Sequence, residues 1–248
     1  MLEVKKLSIE LNGFPVVNNS SFVIRQGKVT ALIGESGSGK SMTVAAILRM
    51  LPLGGSASGS IIYKDTNLLT TPDEEMGVLR KVAFFTIMQD ASNSFNPNVK
   101  MGRQLYALSA ARVGDYHKEF KRKMTSILEK LRLATGILEQ YPFELSGGML
   151  QRCMIACALY VQPKLLIADE PTSALDKIVQ KEFLELLRML NENGTTVLLI
   201  THDLDVVAHI ADELIIMQEG KVVEKGTVAE VFASPEHAYT KRLVDSRF

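Results

Sequence analysis

The segment Gly34-Glu35-Ser36-Gly37-Ser38-Gly39-Lys40-Ser41 restricts the fold more than any other part of this chain. It follows the apolar run KVTALI at 28–33 and opens a helical pattern over 40–51 that Pro52 stops. Glycine permits backbone angles that aim successive N–H groups at one anion, and a helix N-terminus adds positive potential. The spacing fits G-x-x-x-x-G-K-[ST] in the strand–loop–helix context a phosphate loop requires. Such a loop gives Lys40 the β- and γ-phosphates of a nucleotide and Ser41 a hydroxyl for Mg²⁺. The binding run extends from Gly34 through Met42.

A second apolar strand, 165–168, ends on the acids Asp169 and Glu170. Open α/β sheets bind ligands at the carboxyl ends of their strands. Asp169 is expected to hold Mg²⁺, directly or through water, and Glu170 to orient or deprotonate an attacking water.

Strand signals at 7–11, 20–24, 28–33, 60–63, 82–88, 165–168, 195–200 and 213–217 are interrupted by helical patterns at 40–51, 115–133 and 175–190. Residues 53–60, rich in Gly, Ser and Ala, read as a loop. Between 102 and 160 the patterns are helical. The expected architecture is α/β: a P-loop (RecA-like) core with a mostly parallel sheet, an N-terminal antiparallel β portion and an inserted helical subdomain. One domain over 1–248 accounts for the chain, with 1–91 and 161–248 as the core and 92–160 as the helical insert.

The remaining composition narrows the class. Of 248 residues, 28 are basic and 28 acidic, so the zero net charge argues against a nucleic-acid partner. The longest apolar run, 153–161, spans nine residues where a membrane helix needs about 20. The start Met1-Leu2-Glu3-Val4-Lys5-Lys6 does not resemble a signal peptide, so a cytoplasmic location is expected. Cys153 and Cys157, one helical turn apart, read as small buried hydrophobes rather than metal ligands. His117, His209 and His237 are scattered and read as non-ligands, and the basic run 118–123 reads as a solvated helix face.

The run Leu145-Ser146-Gly147-Gly148-Met149-Leu150-Gln151-Arg152 lies between the two phosphate motifs and resembles the LSGGQ signature of the ATP-binding cassette (ABC) ATPases, with Met149 where glutamine is usual. The resemblance covers nearly the whole chain. It implies that Ser146, Gly147, Gly148 and Met149 contact the γ-phosphate of ATP held by a second subunit. Gln89 resembles the glutamine that touches Mg²⁺ and the attacking water. Ser173-Ala174-Leu175-Asp176 resembles the loop that crosses the dimer interface, through Ser173 and Asp176. His202 resembles the switch histidine at the γ-phosphate. Leu11 stands where the family stacks adenine on an aromatic ring, and Phe14 is the nearest substitute.

Gln89-Asp90, Ser94-Phe95-Asn96-Pro97, Tyr141-Pro142-Phe143-Glu144 and the tail Ser234-Pro235-Glu236-His237-Ala238-Tyr239-Thr240 look like the oligopeptide/dipeptide/nickel importer branch. The 149–152 run, Ile87-Met88-Gln89 and the end at Phe248 look closest to its nickel-type member. The implied protein uses ATP and Mg²⁺ and pairs with a second ATPase subunit, identical or homologous. It docks on membrane permease subunits at the cytoplasmic face and serves an extracellular substrate-binding protein indirectly. Its cargo is nickel or a related transition metal, free or chelated. The alternatives are a peptide importer ATPase and a soluble ABC ATPase in cluster assembly.

Overall fold

The computed structural model describes residues 1–89, 91–173 and 175–245, and only the backbone of Ser92; Asp90, Ala174 and Phe248 lie outside them. The N-terminal elements are β1 (Leu2–Leu11), β2 (Phe14–Ile24), β3 (Val29–Ile33), α1 (Lys40–Ile47), β4 (Gly55–Tyr63), β5 (Thr66–Asn67) and α2 (Asp73–Val82). Next come β6 (Phe84–Ile87), α3 (Met101–Leu108), α4 (Ala110–Val113), α5 (His117–Lys130), α6 (Gly147–Val161), β7 (Leu165–Asp169) and α7 (Lys177–Glu192). The last are β8 (Thr196–Ile200), α8 (Leu204–Ile210), β9 (Glu213–Gln218), β10 (Lys221–Thr227), α9 (Val228–Ala233) and α10 (Ala238–Asp245). The chain divides into two compact units, 1–80 with 196–248, and 81–195.

The first unit holds an antiparallel sheet in the order β2-β1-β4-β5 and the strands β10-β9-β3-β8, in which β3 runs parallel to both β8 and β9. All five residues of β3 and all five of β8 are buried, which is why both read as uniformly apolar. Strand β2 lies along β10: Asn18 N–H donates to the Gly220 carbonyl at 2.8 Å, and the Ser20 hydroxyl accepts from Val222 N–H at 3.2 Å.

Two local expectations are corrected in this unit. Residues 55–60, expected in a loop, belong to β4, because small residues there pair with β1, from Leu11 opposite Gly55 to Lys5 opposite Ser60. Ladder hydrogen bonds override weak strand propensity. Helix α1 ends at Ile47 rather than 51, since Arg49 turns left-handed (φ 51°) and its guanidinium holds the Thr71 carbonyl and Asp73.

The second unit joins a parallel pair, β6 and β7, to helices α3 through α7. The expected strand over 82–88 is shorter, at 84–87, because Val82 ends α2, whose first turn carries Asp73, Glu74 and Glu75 against the helix dipole. Among the described residues no strand lies between Ile87 and Leu165. Helix α5 buries Phe120, Met124 and Leu128 along one stripe and exposes Lys118, Lys121 and Arg122, as its periodicity indicates. Helix α6 has ten of its 15 residues buried, among them both cysteines at zero exposure. Burial pushes the Cys153 thiol up to about 12 and the Cys157 thiol higher still. No group of three or more His, Cys, Asp or Glu that could hold a metal occurs among the described residues.

Thiolates, not thiols, react with disulfide reagents. At pH 8 the folded protein should therefore release almost no thiol to an aromatic disulfide within minutes, while both cysteines react once it is unfolded in guanidinium. Rapid labelling of the native protein would contradict the buried, unreactive pair.

Candidate functional site

In the first unit, the turn from β3 into α1 is shaped by neighbours that leave no room for side chains. A Cβ on Gly34 (φ 154°) would lie 2.2 Å from the Met217 carbonyl oxygen, and one on Gly39 (φ 99°) would lie 2.8 Å from Val17 Cγ2. Gly220 N–H donates to the Ser38 carbonyl at 3.2 Å, and Glu35 N–H donates to the Tyr239 hydroxyl at 3.0 Å. Lys40 is buried, and its ammonium donates to the Gly34 carbonyl at 2.7 Å and the Glu35 carbonyl at 2.9 Å. The lysine is thus folded into the loop, its positive charge inside the curve of the backbone. Ser41 and Met42 follow in the first turn of α1.

His202 stands just past the carboxyl end of β8, exposed, beside the loop's own strand. Thr201 N–H donates to the Leu32 carbonyl at 3.4 Å, so the ends of β8 and β3 are tied where the loop begins. Asp203 caps α8 through Asp205 N–H at 2.9 Å and Val206 N–H at 3.3 Å, which fixes the turn that carries the histidine. The hairpin Asn12-Gly13 (φ 52° and 81°) sets Phe14 directly opposite Leu11. Leu11 is half-buried, whereas Phe14 is 75% exposed.

The second unit gathers the carboxylates. Strands β6 and β7 are in parallel register with Ile87 opposite Ala168, so Gln89 and the pair Asp169–Glu170 follow adjacent carboxyl ends. Glu170 takes a left-handed conformation (φ 46°), and its carbonyl accepts Ser173 N–H at 3.3 Å and the Ser173 hydroxyl at 3.1 Å. The buried amide of Gln151 donates to the Pro171 carbonyl, tying the signature helix to the chain just beyond the glutamate.

Ser146 caps α6, its hydroxyl accepting Met149 N–H at 3.3 Å, with Gly147 and Gly148 as the first helical residues. Asp176 caps α7 by accepting Ile178 N–H and Val179 N–H, both at 3.0 Å. The two helix starts adjoin: a Cβ on Gly148 would lie 3.1 Å from Val179 Cγ1, and Arg152 on α6 pairs with Glu182 on α7. The second unit therefore brings the signature helix against the start of α7, which Asp176 caps, and sets Gln89 and the pair Asp169–Glu170 just past adjacent strand ends. The first unit brings His202 beside the phosphate loop.

Sequence reasoning missed two contacts, Gln151 with Pro171 and Tyr239 with Glu35. Both residues sit in runs that marked the family, but neither carried a signal for its partner.

Residues 17–173 match the family model described as ABC transporter. The oligopeptide transport ATP-binding protein OppD of Bacillus subtilis is 38% identical over 99% of this chain and 71% of its own length. The metal-staphylopine import system ATP-binding protein CntD of Staphylococcus aureus is 36% identical over all of this chain and 93% of its own length. A solved dimeric ATP-binding cassette in a post-hydrolysis state, bound to ADP and Pi, superimposes with a TM-score of 0.77 at 25% identity, over 92% of this chain and 99% of that one. The chain belongs to the ABC transporter family as an ATP-binding subunit, an ATPase whose activity is coupled to transport.

Proposed function

We propose that this ATPase powers import of a transition metal of the nickel type, free or chelated by a small organic molecule. The observation that carries the reading is the match to CntD across the whole chain. The similarly strong match to OppD supports a second reading, peptide import. The phosphate-site residues do not distinguish these cargoes.

The proposed cycle uses one ATPase domain whose helical subdomain spans 92–160. Lys40 and backbone N–H groups within the 34–42 run hold the triphosphate, while Glu35 N–H is taken by the Tyr239 hydroxyl. The Ser41 hydroxyl, the Gln89 amide oxygen and the Asp169 carboxylate would supply hard oxygen donors of the kind that suits Mg²⁺. When bound, Mg²⁺ would neutralise charge building on the phosphates. Glu170 takes a proton from the attacking water, and His202 donates to the γ-phosphate. The capped N-terminus of α6 has Ser146 and Gly147 exposed, which supports a role for Ser146, Gly147, Gly148 and Met149 against ATP on a partner subunit. Ser173 and Asp176 are assigned to the same subunit interface. Phe14, open and paired with Leu11, stacks the adenine that Leu11 is poorly suited to hold. The partners are a second ATPase subunit, identical or homologous, permease subunits at the cytoplasmic face of the membrane, and indirectly an extracellular substrate-binding protein. Among the described residues no helix is long and apolar enough to cross a membrane.

Glu170→Gln keeps the side-chain shape and removes the base. It should cut turnover about 10²–10⁴-fold and leave ATP affinity within about threefold, measured by phosphate release and calorimetry. Cells carrying this variant should lose nickel or cobalt content by mass spectrometry while labelled peptide uptake holds. Loss of peptide uptake alone would select the second reading.

A Cβ on Gly147 meets nothing within 4 Å, so Gly147→Asp should fold normally. In a Glu170→Gln background it should bind ATP yet associate at least about tenfold more weakly on sedimentation with Mg·ATP, because a carboxylate would face the partner's γ-phosphate. Undiminished association would remove the trans contact.

Phe14→Ala should weaken ATP binding about 5- to 150-fold, following the ~1–3 kcal/mol attributed to a base–aromatic stack. An affinity equal to wild type would free the adenine from this ring.

A further inference from the structure

We propose that Tyr239, on the C-terminal helix α10, is a positioning residue for ATP binding, holding the phosphate loop through the backbone of Glu35. The inference rests on the reading of residues 34–41 as the nucleotide site.

The loop is braced from one direction by the turn between β9 and β10. The Met217 carbonyl crowds Gly34, and Gly220 N–H bonds the Ser38 carbonyl. Glu35 lies between those two supports, and its N–H donates to the Tyr239 hydroxyl at 3.0 Å. This amide faces the C-terminal helix, and the bond fixes the chain where it leaves β3. A loop that binds through several backbone dipoles depends on each being aimed before the ligand arrives.

The hydroxyl is itself held in place. The Tyr239 ring is 2% exposed, packed in a core with Ala31, Ile33, Val207 and Val231. Upstream, the Glu224 carboxylate accepts Glu236 N–H and His237 N–H, both at 2.9 Å, and His237 Nδ1 accepts Tyr239 N–H at 3.2 Å. Burial would raise the Glu224 carboxyl, yet these N–H donors hold it below the usual carboxylate range. The run Pro235-Glu236-His237-Ala238-Tyr239 thus sets one phenol against one amide of the phosphate loop.

The test is Tyr239→Phe, which keeps the ring and removes only the oxygen. Wild type and variant are titrated with a nonhydrolysable ATP analogue, assayed for turnover, and melted with and without nucleotide. The variant should bind the analogue about 3- to 10-fold more weakly and raise KM for ATP by a similar factor, with kcat within about twofold. The rise in Tm produced by nucleotide should shrink. A merely structural loss would lower Tm equally in both states and leave affinity and KM unchanged, which would overturn the proposal. Adding Glu35→Ala should leave the Tyr239→Phe effect at the same size, since the bond is to the main chain; its disappearance would assign the effect to the carboxylate and overturn the backbone contact. If wild type itself fails to bind the analogue, the nucleotide-site reading fails. If wild type binds and the variant matches it, only the role of Tyr239 fails.

Discussion

The phosphate loop can work only if its backbone turns from β3 into α1 with no side chain filling the curve. That requirement explains why glycine occupies Gly34 and Gly39: each has a positive φ, and a Cβ at either would meet a neighbour closer than 3 Å. The neighbours come from distant sequence, Met217 on β9 and Val17 on β2. The loop geometry is therefore a tertiary property, enforced by packing of the first unit. Burying Lys40 within it is tolerable because two carbonyl dipoles receive the ammonium.

The same logic, polar groups at the carboxyl ends of buried parallel strands, recurs in each unit. In the first, β3 and β8 end at the glycine loop and His202. In the second, β6 and β7 end at Gln89 and at Asp169 with Glu170. Strand interiors are largely apolar and provide a rigid, water-free base. The candidate polar groups begin where full burial stops, at the carboxyl ends of these strands.

This division also explains what the sequence made legible. Uniformly apolar strands and the fixed spacing of the glycine loop were readable because burial on both faces and backbone sterics act locally. The stripe Phe120, Met124 and Leu128 was readable for the same reason. What escaped was whatever depended on a partner far along the chain. Residues 55–60 have the composition of a loop and become a strand only because β1 offers an unpaired edge. Val82 has strand propensity but is claimed by α2, whose acidic first turn and bond from Arg49 to Asp73 lie upstream. Tyr239 belonged to a run that marked the family branch, yet its contact with Glu35 spans 204 positions of sequence.

Glu170 stands apart from the other residues that adopt a left-handed backbone. Among the described residues, nine other than glycine have positive φ. Eight have ordinary structural causes. Asn12, Lys64 and Glu219 sit in hairpin turns, and Lys6 and Asn19 lie at irregular points of the β1–β2 ladder. Arg49, Arg132 and Gln162 follow helix ends. Glu170 alone among them follows a buried parallel strand, where the chain needs no left-handed residue to reverse a hairpin or end a helix. Such a conformation costs a side-chain-bearing residue about 1–3 kcal/mol. Here it is held by the Ser173 hydroxyl and N–H on its own carbonyl and by Gln151 on the next. A glycine would adopt it without strain. The structure keeps the strained glutamate, and surrounding hydrogen bonds hold its backbone in that conformation.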